Sequence, residues 1–95
     1  MATLVFKRES KEGTRHPWCE LQVISDDRVV IVDMTPALLG GWRYGRTTVQ
    51  GHDDWQGYTA EQIIASKRQD TRCDLQPLEG EDAARVLAWL QERGL

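Results

Sequence analysis

Ninety-five residues with 15 acidic and 12 basic side chains, a net charge of −3, describe one small acidic domain spanning residues 1–95. That balance argues against a general nucleic-acid binder, which needs a basic excess to displace phosphate counterions, and the length leaves little material for a deep, water-excluding cavity. No apolar run approaches the length of a membrane span and the chain opens on a strand-like segment, not a signal peptide, so no membrane contact and a cytoplasmic location are expected.

Thr3 to Arg8 alternates, with Leu4 and Phe6 on one face, and predicts a strand. Ser10 to Thr14 is a polar turn. Trp18 to Ile24 predicts a second strand in which Cys19, Leu21 and Val23 point one way and Glu20 and Gln22 the other. Trp18 and Ile24 on that second face predict that part of it is covered, by the middle loop or by a second copy of the chain. After the short Ser25–Arg28 connection, Val29 to Met34 is branched and apolar enough for a central strand buried on both faces. These connections are too short for parallel crossovers, so the three strands form an antiparallel meander.

Ala37, Leu38 and Leu39 predict one helical turn, stopped by Gly40-Gly41. Arg46 to Gln50 is β-prone and suits a fourth strand. Thr59 to Gln69 predicts a helix with a capping box from Thr59 and Gln62. Thr71 to Leu75 predicts an edge strand before Pro77. In the last segment Glu79, Glu81 and Asp82 supply the charge a helix N-terminus prefers, and Ala83, Val86, Leu87 and Leu90 form one apolar stripe. Trp89 falls off that stripe beside Arg85, where a cation–π contact and partial exposure are expected. The expected fold is therefore α+β, an antiparallel sheet of three to five strands with two helices packed on one face.

The segment from Pro36 to Tyr58 concentrates glycine, aromatic residues and arginine. Rings and guanidinium groups are the usual anchors of binding surfaces. Trp42, Arg43, Tyr44, Arg46, Trp55 and Trp89 are the candidate contacts for a protein partner or for self-association. The leading expectation is a small non-enzymatic, bacterial-type protein-binding module of adaptor or inhibitor kind. Two alternatives follow from other residues. Lys7, Arg8, Lys11 and Arg15 with Arg43 and Arg46 would serve a nucleic-acid-binding module. Asp33, His52, Asp53 and Asp54 would serve a metal-dependent hydrolase, although adjacent residues converge on one ion only if their loop curls tightly. Phosphate-loop, nucleophile-elbow and zinc-ligand spacings are all absent from the sequence, so no catalytic residue, metal site or cofactor is assigned. Cys19 and Cys73 read as buried thiols, with a disulfide between them left open.

Overall fold

In the computed structural model, which describes residues 3–25, 27–51, 58–69 and 71–95, seven elements run in the order β1 (Leu4–Ser10), β2 (Cys19–Ile24), β3 (Arg28–Pro36), β4 (Trp42–Gly51), α1 (Ala60–Arg68), β5 (Cys73–Pro77) and α2 (Gly80–Glu92). The strands form one antiparallel five-stranded sheet in the order β4-β3-β2-β1-β5. The chain is α+β, as its sequence predicts.

Register explains the packing. Val5 stands opposite Val23, and Val23 opposite Val30, so these side chains share one face. With Leu21 and Val32 they meet Val86 and Leu90 of α2. One residue along each strand lies the other face, where Phe6, Ile24 and Val29 meet Ala60, Ile63 and Ile64 of α1. The two helices therefore cover opposite faces of the sheet. This corrects the expectation that both pack on one face. The physical reason is that β1, β2 and β3 carry apolar residues at consecutive positions, so each face needs its own cover. The cover over Ile24 is α1.

Both helices follow their end signals. Thr59 Oγ1 accepts from the Gln62 N–H at 3.2 Å, and Gln62 Oε1 accepts from the Thr59 N–H at 2.8 Å, closing the expected capping box. Val86 and Leu90 form the buried stripe of α2, while Leu87 stays 40% exposed and Trp89 packs against the core in its place. The Arg28 side chain donates to the Leu95 carbonyl, tying the end of the chain to the start of β3.

The β3–β4 hairpin is longer than the sequence suggests. β3 runs on through Pro36 and β4 begins at Trp42, with Pro36 opposite Trp42. No helical turn forms between them. Gly40 and Gly41 both take positive φ, 93° and 78°, and make a tight reversal. The Ala37 N–H donates to the Gly41 carbonyl and the Gly40 N–H to the Ala37 carbonyl, each at 3.1 Å.

Halfway along the hairpin the register slips between Val32 and Met34, which pair with Thr47 and Tyr44. Gly45 and Arg46 thus face Asp33 together, as in a β-bulge. A Cβ added at Gly45 would lie 2.6 Å from the Asp33 carbonyl oxygen, which is backbone and cannot swing aside. Gly45→Ala is expected to destabilise the domain by about 1–3 kcal/mol through that overlap. A urea titration checks this, and an unchanged midpoint would mean the bulge opens without cost.

Cys19 and Cys73 are both free and buried. Cys19 belongs to the α2 face and Cys73, opposite Ser10, to the α1 face, so the sheet separates them. Burial pushes the Cys19 thiol from 9.0 up to about 11, with a smaller push from the Glu9 charge. The folded state thus holds a proton that the unfolded thiol loses first. Stability from this group is complete below pH 9 and falls as pH rises toward about 11. Native protein should react with a thiol-specific disulfide reagent only after unfolding. Rapid labelling of Cys19 in native buffer would contradict its burial.

Candidate interaction surface

Among the described residues the two most exposed large apolar side chains lie on the β3–β4 hairpin, while Trp18, Tyr58 and Leu87 are exposed elsewhere at 38%, 48% and 40%. Leu38 and Leu39 at the hairpin tip are 104% and 102% exposed, touching nothing that shields them. The helical turn that local sequence suggests for them would not mark them as a contact. Two adjacent leucines followed by a glycine pair, with no polar residue between, are the signal that does.

Trp42 and Tyr44 lie just behind the tip on the α2 face and are half-buried. Tyr44 is fixed from within the chain. Its ring centroid is 4.6 Å from that of Trp89 at an interplanar angle of 40°, and both rings pack on the α2-side core. The cation over Trp89 is Arg93, not Arg85. Its guanidinium carbon lies 3.8 Å from the ring centroid, and Arg93 Nη1 donates to the Trp89 carbonyl at 3.1 Å. Arg43 and Arg46 are exposed, with Arg43 Nε donating to Thr35 Oγ1 at 3.2 Å. The structure therefore gathers Trp42, Arg43, Tyr44 and Arg46 on one hairpin stem and brings Trp89 to its side. Trp55 lies outside the described residues.

Beside the stem runs a trough of about 650 Å³ on the α2 face. Leu21, Met34 and Tyr44 line it from the sheet, Trp42 from the hairpin, and Asp82 and Arg85 from α2. It lies along the flank of α2, which seats on Val5, Leu21, Val23, Val30 and Val32 and leaves Met34 and Tyr44 half-buried. Lys7, Arg43 and Arg85 face the single carboxylate of Asp82 along it, so the trough is open and mixed in polarity.

The other face carries a polar network. Arg8 Nη1 donates to Glu20 Oε1 at 2.6 Å, and Gln22 Nε2 donates to the same oxygen at 2.8 Å. Arg8 Nη2 reaches Cys73 Sγ at 3.6 Å, and its guanidinium lies 5.7 Å from the Trp18 ring centroid. Gln22 is completely buried, and the Arg8 and Glu20 side chains largely so. Burial and the nearby Arg8 charge push the Lys67 ammonium of α1 below its ordinary value. These groups hold one another inside the fold.

The remaining N-terminal cations are divided. Lys11 Nζ sits 2.7 Å from Asp74 Oδ1, Lys7 Nζ is 4.0 Å from Glu9 Oε1, and Arg15 is exposed in the loop between β1 and β2. Asp33 is exposed on β3, while His52, Asp53 and Asp54 lie outside the described residues. Among the described residues no group of three His, Cys, Asp or Glu side chains is placed to hold a metal ion, and no helix is long and apolar enough to cross a membrane. Comparison with known protein families, with characterised proteins and with solved structures finds no match to this chain.

Proposed function

We propose that this chain is a small non-enzymatic protein-binding module, of adaptor or inhibitor kind, whose contact surface is the β3–β4 hairpin. The observation that carries this reading is the complete exposure of Leu38 and Leu39 at a protruding turn. A globular domain leaves single apolar side chains wet without consequence, but adjacent ones on a projecting tip mark a surface that something else covers. Trp42 behind the tip supplies a ring for the same contact, and Arg43 and Arg46 supply rim contacts.

The hairpin also explains why the contact centres on the tip and not on the strand edge. β4 is an edge strand of 10 residues, a ready template for indiscriminate pairing. Charged side chains and a bulge are the usual means of discouraging such pairing, and β4 has both. The nucleic-acid reading has less to stand on, because Arg8 and Lys11 are engaged with Glu20 and Asp74. The test is capture of a partner from the native host by immobilised wild type, by Leu38→Ser/Leu39→Ser and by Trp42→Ala. Capture should be lost in the first variant and weakened in the second. Equal capture by all three would refute the proposal.

A further inference from the structure

Two guanidinium groups of the trough have no counter-charge. Among the described residues no carboxylate lies within ion-pair distance of Arg43 or Arg85, whereas Lys7 is 4.0 Å from Glu9 and Lys11 is 2.7 Å from Asp74. Arg43 uses Nε on Thr35 Oγ1, which leaves its two terminal nitrogens for another acceptor. Resting on the reading of this chain as a protein-binding module, we infer that the trough takes an acidic segment of a partner protein. Its carboxylates meet Arg43 and Arg85, and an apolar side chain between them packs on Met34, Trp42 and Leu78.

Three observations point to this occupant. The first is charge. The chain as a whole has more acidic than basic side chains, 15 against 12. The trough reverses that balance, with Lys7, Arg43 and Arg85 against Asp82, and Glu81 lies outside its lining. Glu9 offsets Lys7, so Arg43 and Arg85 carry the attraction. A cationic strip on an acidic molecule fixes where an anionic group settles, because the surrounding surface repels it. Guanidinium groups also suit carboxylates in particular, since they can hold both oxygens at once. The second is the apolar part of the lining. Met34, Trp42, Tyr44 and Leu78 are each half-buried and keep an exposed apolar edge. A phosphodiester strand brings charge but no aliphatic side chain to cover Met34 and Leu78. The third is shape. The trough is open along its length, so it cannot enclose most of a small molecule's surface as a small-ligand pocket does. A chain segment laid along α2 needs no such enclosure.

Chemical-shift mapping on the full chain tests this with two short capped peptides. Both carry leucine and phenylalanine at the centre, flanked in one by glutamates and in the other by lysines. The glutamate peptide should shift the amide signals of Met34, Tyr44 and Arg85 and the indole N–H of Trp42, saturably and less at high salt. The lysine peptide should not. Arg43→Glu/Arg85→Glu should weaken binding of the glutamate peptide by about tenfold or more, because each reversal turns an attraction into a repulsion. Arg15→Glu/Arg68→Glu makes the same change of net charge outside the trough and should bind as wild type does. Equal loss in both variants, equal binding of the lysine peptide, or equal binding of a glutamate peptide with serines at its centre overturns the inference. So does single-stranded oligothymidylate that moves the same signals at lower concentration than the peptide, which would favour nucleic acid. If the glutamate peptide fails to bind while Leu38→Ser/Leu39→Ser still abolishes capture from the host, the binding-module reading stands and the acidic partner is wrong.

Discussion

Phe6→Ala should cost about 3–5 kcal/mol of stability, a large share of the roughly 5–15 kcal/mol available to a small domain. Phe6 is completely buried and stands at the centre of the α1-side core, with Ile24, Val29, Ala60, Ile63 and Ile64 around it. Its strand neighbours in register are Gln22 and Pro77, neither of which can move in to fill the space. α1 has only nine residues. Helices shorter than about 12–15 residues are marginal on their own, so this one depends on the apolar surface that Phe6 provides. Each kcal/mol lowers the melting temperature of a domain this size by about 4–8 °C, which puts the expected drop above about 12 °C. Thermal and urea unfolding followed by circular dichroism measure it. A loss below about 1 kcal/mol would mean that α1 is not seated where the structure places it.

Leu38→Ser/Leu39→Ser should behave in the opposite way, leaving the fold alone and removing association. At 104% and 102% exposure neither side chain contributes burial to the isolated domain, and exposed substitutions of this sort usually change stability by less than about 0.5 kcal/mol. The turn itself rests on Gly40, Gly41 and two backbone hydrogen bonds, none of which uses a leucine side chain. Burying two leucines at a contact is worth about 1.5–3 kcal/mol each, so their loss weakens binding by roughly two or more orders of magnitude. Melting temperature and binding measured on the same preparation separate the two effects. A large fall in melting temperature would assign the leucines to the fold instead.

Trp42→Ala lies between these extremes. Its ring is half-buried beside the trough, so truncation removes some internal packing as well as contact area. It should lower both stability and binding, the second more than the first.

Much of the architecture is legible in local chemistry. Alternation in Cys19–Ile24 and the branched run from Val29 mark strands, and Thr59 with Gln62 marks a helix start. The arrangement of the helices is not legible from either helix. It is written in the strands, where Val5 next to Phe6 and Val23 next to Ile24 require apolar cover on both sides. Taking one face of β1 at a time hides that requirement. The hairpin escapes local reading for a related reason. Leu38 and Leu39 suit a helix by propensity, and Gly40-Gly41 suits a helix stop as well as a reversal. What decides between them is strand pairing up to Pro36 and Trp42, a nonlocal contact without a local signature. In the candidate surface, Trp42, Arg43, Tyr44 and Arg46 fall on one stem because they are near neighbours in the chain. The role of Tyr44 as packing for Trp89 depends on where α2 docks, which the sequence leaves open.

A hairpin-tip contact requires the two leucines of the tip to be wet in the isolated chain and dry in the complex. Methyl NMR of leucine-labelled protein with a soluble paramagnetic probe tests this directly. In dilute monomer the Leu38 and Leu39 methyl signals should be strongly broadened, while those of Leu21 and Leu90, which are 4% and 3% exposed, stay sharp. When the partner binds, the Leu38 and Leu39 signals should become protected. Leu38 and Leu39 methyls already shielded in the dilute monomer would contradict the account.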